Sequence, residues 1–365
     1  MSLTVLNVAY PLAPVGPDAV GGAEQVLSAL DRALVQRGHR SLVIAAEGSQ
    51  VSGRLLSVPA EKGPLDDATR RRAHARHRAA IAEAVRRFAV DVVHLHGIDF
   101  AAYLPDSGPT LVTLHLPLDW YPPEALQPNR DDLWLHAVSM AQQATAPPGA
   151  RLAELIPNGV DIDALSQRHA RRGFVLLLSR ICPEKGIHLA IDAAKRADMS
   201  LLIGGEVYRY ADHVCYFESE VAPRLDSRRR FLGPLGLRRK RRFLNAARCL
   251  VIPSLAQETS SLVAMEALAC GTPIVAFPNG ALSEVIEHGR TGFLVKGVEE
   301  MADALQHAGD LSPLACQRAA RDRFSLDVML RGYFRAYEAL AAMKTAQSRL
   351  PIPEVFLQRP QFHGD

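Results

Sequence analysis

The stretch LLLSRICPEKGIHLAIDAA, residues 176–194, joins an unbroken apolar run to a helical one across a short polar loop. An apolar run of strand length, bounded by turn residues and followed by apolar positions at helical spacing, reads as a buried parallel strand, its loop and a crossover helix. Arg180 and Lys185 sit on that loop, at the carboxyl end of the strand, the edge where open α/β sheets bind ligands. Two cations there suit an anion. A guanidinium gives forked hydrogen bonds and an ammonium a point charge, together enough to neutralise a diphosphate without a metal. Surface ion pairing of the same two residues with Glu184 is the plainer alternative.

Working outward, the same alternation fills the chain. Before the stretch come LTVLNVA, a helix from GGAEQVLSALDRALVQRG, SLVIAA, a basic helix from about Asp66 to Phe88, DVVHLHG and TLVTLHLP. After it come MSLLIGG, RRFLG, a helix near 238–247, CLVIPS, a helix near 260–270, TPIVAF and TGFLV. Strands and helices taking turns predict two parallel sheets with helices on both faces, an α/β fold of two Rossmann-like domains with a cleft between them. Between 140 and 172 the texture loosens through TAPPG and IPNGVDID, which places the domain boundary near residue 165. The first domain is thus expected over 1–165 and the second over 166–325, with a proline-spaced tail over 346–365. No sequence repeat relates the halves.

Composition narrows the function. The 365 residues are 48% hydrophobic and 22% charged, enough for two cores. A formal charge of +3 is too mild for a nucleic-acid partner, which wants a concentrated basic face. Five dispersed cysteines, mostly in apolar runs, suggest neither a disulfide framework nor a zinc knuckle, and with no basic leader or spanning run the chain is expected to be cytoplasmic.

QETSSLVAME, residues 257–266, supplies two acids. If Ser260 or Ser261 caps the helix that runs to Cys270, its free amides face the same edge as Arg180 and Lys185. Glu258 then lies just outside the helix and Glu266 inside it, roughly 12 Å further along the axis. That is too far for a close catalytic pair of the glycosidase kind. Carboxylates accept from vicinal hydroxyls, so acids at two places with cations between them describe a nucleotide sugar. Gly21 and Gly22 open the first helix where backbone N–H groups meet a phosphate or sugar, and Gly204 and Gly205 repeat the theme in the second half.

These stretches resemble the retaining, metal-independent glycosyltransferases of family four, in the GT-B architecture. The match includes GGAE, DVVHLHG, IPNGVD, SRICPEKG, FLGPL and PSLAQETSSLVAMEALACGTPIVA, with its E-x7-E acids, and runs to about residue 340. By position the resemblance implies that Arg180 and Lys185 hold the donor diphosphate, Glu266 the ribose, and Glu258 hydroxyls of the transferred sugar. It places His115 near the reacting sugar carbon and Gly22 against the diphosphate or sugar from the other domain. Gly21, Gly205, Leu232, Ser260, Ser261 and Leu262 complete the implied donor-binding set. It further implies a C-terminal helix, over 326–345, crossing back to the first domain. The expected partners are a nucleoside-diphosphate sugar, uridine first and guanosine second, and a hydroxyl acceptor, with no cofactor and no metal. Where the family often has glycine third after the first acid, this chain has Ser261.

Other features have plainer readings. Asp161 to Asp163 follow a strand in a loop and are set aside as metal ligands, and His94 with His96 reads as a packed strand end. The runs RRRAHARHR, 70–78, and LRRKRR, 237–242, read as solvated helix faces, with docking to anionic lipid or a charged acceptor as the alternative. Trp120 and Tyr121 serve either acceptor stacking or loop packing. A nucleotide-sugar epimerase and a non-catalytic polyanion-binding protein are the competing functions.

Overall fold

The computed structural model describes residues 2–347 except 17, 18, 20, 62–65 and 168, so part of the expected tail, 348–365, lies outside the described residues. The first domain runs β1 (Thr4–Val8), α1 (Gly22–Gln36), β2 (Arg40–Ala46), β3 (Arg54–Val58), α2 (Asp67–Arg87), β4 (Val92–Leu95), β5 (Thr110–Thr113), β6 (Leu133–His136) and α3 (Met140–Ala144). The second runs α4 (Ile162–Leu165), β7 (Phe174–Leu178), α5 (Ile187–Arg196), β8 (Ser200–Gly204), α6 (Ala211–Tyr216), β9 (Arg229–Phe231), α7 (Leu237–Ala246), β10 (Cys249–Ile252), α8 (Leu262–Ala269), β11 (Ile274–Ala276), α9 (Leu282–Val285), β12 (Gly292–Leu294), α10 (Val298–His307) and α11 (Pro313–Phe324). A last helix, α12 (Leu326–Gln347), follows. No helix among the described residues is long and apolar enough to cross a membrane.

Both sheets are six-stranded and parallel, ordered β3-β2-β1-β4-β5-β6 and β12-β11-β10-β7-β8-β9. Renumbered within its own domain, the second order equals the first. Each sheet therefore reverses direction once, between β1 and β4 and between β7 and β10, and a crevice opens at each reversal. Burial on both faces explains the continuous apolar strands. In the second sheet Leu176, Leu202, Leu250 and Ile274 face one core, with Met265 and Leu268 of α8, while Val175, Leu177, Leu201 and Val251 face the other, with Ile187 and Ile191 of α5.

Two strands of the first sheet, β3 and β6, carry no long apolar run and are absent from the expected set. Two of the five residues of β3 are exposed at the sheet edge, and β6 follows the polar segment 129–132. Val160, Ile162 and Leu165 precede the expected break near residue 165 yet pack in the second core. The basic helix α2 buries Ala73, His77, Ile81 and Ala84 and turns its arginines outward, where Arg76 pairs with Glu61 at 2.5 Å.

Helix α12 returns to the first sheet. Met329, Leu330, Tyr333, Phe334, Tyr337 and Leu340 pack beside α1 on Val5, Val92 and Leu111. At about 1.5–3 kcal/mol for each large apolar side chain buried, this face rivals the ~5–15 kcal/mol net stability of a whole domain, which makes the helix integral to the first core. The outgoing and returning crossings lie side by side, as Leu326 N donates to Val160 O at 2.8 Å and Val160 N to Phe324 O at 2.8 Å.

A buried polar chain fixes the rotation of α12. His136 Nδ1 is 3.0 Å from the Ala137 carbonyl oxygen, which only accepts, so Nδ1 carries the proton and Nε2 accepts from the Thr113 hydroxyl at 2.7 Å. Thr113 has then spent its one proton. It accepts from His94 Nε2–H at 2.8 Å and from the Tyr333 hydroxyl at 3.1 Å, which leaves His94 Nδ1 to accept from the Tyr337 hydroxyl at 2.8 Å. Every donor is used once and both imidazoles are neutral. Tyr337→Phe leaves His94 Nδ1 buried without a partner and is expected to lower stability by about 1–3 kcal/mol, read as a lower urea midpoint at unchanged slope.

Candidate active site

The charged residues of the site come from the carboxyl edge of the second sheet. Arg180 and Lys185 occupy the loop after β7, whose end is fixed by Gly186 at φ +61. A side chain at Gly186 would collide with the Pro253 carbonyl oxygen, so the left-handed turn and the close approach both demand glycine. The loop after β10 is tied to the same segment, because Leu255 N and Ala256 N donate to Glu184 O at 2.8 and 3.2 Å. Glu258 is held through its backbone: Ala281 N donates to its carbonyl at 2.8 Å, and Gly280, at φ +61, leaves no room for a Cβ against the Glu258 peptide.

Two lysine–glutamate pairs result. Lys185 Nζ lies 2.5 Å from Glu258 Oε1, and Lys240 Nζ lies 2.5 Å from Glu266 Oε1. All four side chains are under one-fifth exposed. Arg180 is more open and pairs with Glu184 at 3.7 Å, so the plainer sequence alternative holds for Arg180 but not for Lys185. The reading of 237–242 as a solvated face, with lipid or charged-acceptor docking as the alternative, does not single out Lys240. Its signal is spacing: Lys240, Leu244 and Ala247 fall four and three residues apart, one lysine in line with the buried positions of an otherwise basic helix.

Ser261 occupies the N-cap position of α8 at φ +67, but its side chain makes no capping bond. The expected serine cap is thus absent, since Ser260 is buried with its hydroxyl unpartnered among the described residues. An uncapped first turn leaves the Leu262 and Val263 amides and the positive end of the helix dipole unspent at the sheet edge. Gly22 faces this turn from the other domain, where an added Cβ would sit 3.4 Å from Leu262 Cδ1, and Gly21 precedes it as the N-cap of α1. Gly205 instead packs against the Ser179 carbonyl, and its N–H is taken by Gly233 O at 3.0 Å. Leu232, just past β9, packs partly buried beside the α8 core.

His115, after β5, meets the acid loop directly: Thr259 Oγ1 donates to its carbonyl at 2.8 Å. Its Nε2 lies 3.1 Å from His96 Nδ1, with the two rings stacked. Burial, then the neighbouring His136, pushes His115 down to about 3, and burial pushes His136 to about 4. His94 and His96 fall well below the ordinary range for the same first reason. Asp161 caps α4 through Ala164 N at 3.0 Å, which accounts for it structurally. Of the aromatic pair, Tyr121 is buried in the first core while Trp120 is half exposed.

Two doubly wound sheets whose crevices face one another, with paired cations and acids on one edge and a glycine turn on the other, define a glycosyltransferase of the GT-B type. Solved structures share the fold: a glycosyltransferase involved in avilamycin A biosynthesis (TM-score 0.71, 24% identity, 93% of this chain and 98% of that one) and sucrose-phosphate synthase from Thermosynechococcus elongatus (0.78, 19%, 93% and 100%). So does Anabaena HepE in complex with UDP-glucose (0.73, 22%, 93% and 100%). Residues 20–164 match the model of Glycosyltransferase Family 4, and residues 172–309 that of Glycosyl transferases group 1; the chain belongs to glycosyltransferase family four. Among curated relatives it is 28% identical to a phosphatidyl-myo-inositol mannosyltransferase of Mycobacterium leprae over 332 residues, 80% of this chain and 85% of that one. It is also 28% identical over 285 residues to a D-inositol 3-phosphate glycosyltransferase of Mycobacterium tuberculosis, covering 68% of this chain but only 58% of that relative.

Two measurements follow from this geometry. The unfolded chain binds protons at its histidines near pH 6.5, whereas His115 and His136 in the fold do so only at about 3 and 4. Acidification therefore favours unfolding, by about 1.4 kcal/mol per pH unit for each such histidine. Denaturant melts should show stability falling from pH 6.5 to 5, above the range where carboxylates titrate, and a flat profile would contradict a neutral cluster. Ser261→Gly should raise stability by up to about 1 kcal/mol, because glycine adopts the left-handed region without the Cβ penalty.

Proposed function

We propose that the chain transfers a sugar from a UDP- or GDP-sugar to an acceptor hydroxyl with retention of anomeric configuration and without a metal in the chemical step. One observation carries the reading: Lys185 and Glu258 are paired at 2.5 Å on the second sheet's edge, beside His115 of the facing domain. The ligand-free pair is self-neutralised. An arriving diphosphate offers Lys185 and Arg180 a better-charged partner, which releases Glu258 to accept hydroxyls of the sugar, while the proposal assigns the ribose to Glu266, paired with Lys240 when no ligand is bound. HepE in complex with UDP-glucose and the mannosyltransferase relative support a nucleoside-diphosphate hexose as donor.

In the proposed step the bond from the anomeric carbon to the diphosphate oxygen breaks, and the acceptor oxygen bonds to that carbon on the same face. The acceptor proton passes to the departing phosphate oxygen. Negative charge gathering on the diphosphate is met by Lys185, Arg180 and the open amides of α8, donors already in place before the reaction. Closure of the domains excludes water and limits hydrolysis of the donor. Biosynthesis of a glycan, glycolipid or natural product is the setting this chemistry serves.

The reading predicts that Lys185→Ala and Glu266→Ala abolish the thermal shift given by UDP or GDP. Glu258→Gln should retain that shift but lower kcat by about 100-fold or more. Turnover should not rise with added magnesium or manganese, and NMR of the product should show the donor's anomeric configuration. Conversion of donor in the absence of any acceptor would favour an epimerase and overturn the proposal.

A further inference from the structure

The loop after β7 carries a second constellation that the transfer reaction does not use. Cys182 is fully buried, His213 on α6 is 6% exposed, and Glu184 is partly exposed beside them. One ligand-capable atom of each residue lies within 4.8 Å of the other two. His213 Nδ1 is shut off from solvent and has no hydrogen-bond partner among the described residues. Its other nitrogen, Nε2, lies 3.9 Å from the exposed Asp212 carboxylate, too far for a hydrogen bond, so the buried, unpartnered Nδ1 is the atom that lacks a partner. A buried polar atom without a partner calls for an explanation, and an unfilled ion position supplies one.

We propose that Cys182, Glu184 and His213 form a binding site for one divalent ion of the zinc class. A thiolate, an imidazole and a carboxylate are the donor set that borderline-soft zinc takes, whereas magnesium and calcium demand oxygen. Three protein ligands leave a fourth position for water. On binding, the Cys182 thiol gives its proton to solvent and the three side chains donate lone pairs to the ion; nothing is oxidised or reduced. The ion ties α6 to the loop that also carries Arg180 and Lys185, a tether beside the donor site and not a participant in the transfer step. It engages a carboxylate that otherwise pairs with Arg180.

The test is cobalt titration of the full, tag-free, metal-stripped chain, followed by zinc. The expected result is a thiolate-to-cobalt charge-transfer band with the visible bands of four-coordinate cobalt, saturating at one equivalent and bleached by one equivalent of zinc. Cys182→Ala should abolish the charge-transfer band, and His213→Asn should weaken cobalt binding at least tenfold. Cys215→Ala, which removes the exposed thiol on the same helix, should leave the spectrum unchanged. Absence of the band from the native chain overturns the proposal before any variant is made, as does a band that survives Cys182→Ala or is lost with Cys215→Ala.

Discussion

A charge kept largely out of water needs its counter-charge at hand, and the carboxyl edge of the second sheet meets that demand twice, with Lys185 on Glu258 and Lys240 on Glu266. Shielded pairs of this kind contribute little net stability, because desolvation offsets much of the attraction, yet losing one partner is costly. Stability alone is therefore a weak reason for four charged side chains in one crevice. In the proposed function the value of the first pair lies in exchange: Glu258 holds Lys185 in place until a diphosphate and sugar hydroxyls take over the two halves of the pair. The surrounding backbone serves that exchange, since Gly186, Gly280 and the Glu184 carbonyl pin the two loops to one another and not to the side chains that must be released.

The same doubly wound topology appears twice, and both copies contribute. In the proposed site the second sheet supplies charge and the first supplies a histidine and a glycine turn. Specific contacts join them. Glu284 of α9 accepts from Met140 N and Ala141 N, placing a carboxylate at the positive end of α3, and Thr259 reaches the His115 carbonyl. Helix α12 completes the first core from the far end of the chain, so the two domains share one covalent path out and another back, clamped where Val160 meets Leu326. Relative motion is thereby channelled through two adjacent crossings.

Much of this was legible in residues 176–194, because a strand buried on both faces cannot disguise its apolar run and a loop at its carboxyl end has one topological role. The four inner strands of the second sheet, β7, β8, β10 and β11, are of that kind, while β9 and β12 at its edges are short and only partly buried. In the first sheet β3 and β6 carry no such run, being a partly exposed edge strand and a four-residue strand behind a polar segment, where local pattern carries no weight against pairing. The acids were legible by spacing; their lysine partners were not. Lys185 was read toward a ligand and Lys240 toward solvent, since which cation meets which acid depends on loops brought together across the sheet. Ser261 was read as a cap from its residue type, but its backbone is left-handed, a conformation that the preceding loop imposes and that sequence alone does not reveal. Gly205 was read toward a ligand for its glycine, and the structure gives that glycine a packing reason instead.

The neutral histidines bear on where the acceptor's proton goes. A general base works best when its pKa lies near the operating pH. His115, pushed down to about 3 by burial, holds a proton poorly, and its Nε2 is already engaged by His96. Moving the ring out to solvent would raise its basicity but would break that contact. Glu258, which the proposed reaction holds against the sugar, is no alternative, and Glu266 lies inside α8, engaged by Lys240. A departing diphosphate, by contrast, gains basicity as its bond to the sugar lengthens, and it stands on the face from which a retained product must be attacked. In the proposed reaction the enzyme therefore needs no base of its own: it must hold the leaving group still, keep the acceptor on that side and keep water out, which a fixed cationic edge beneath a neutral histidine lid is built to do.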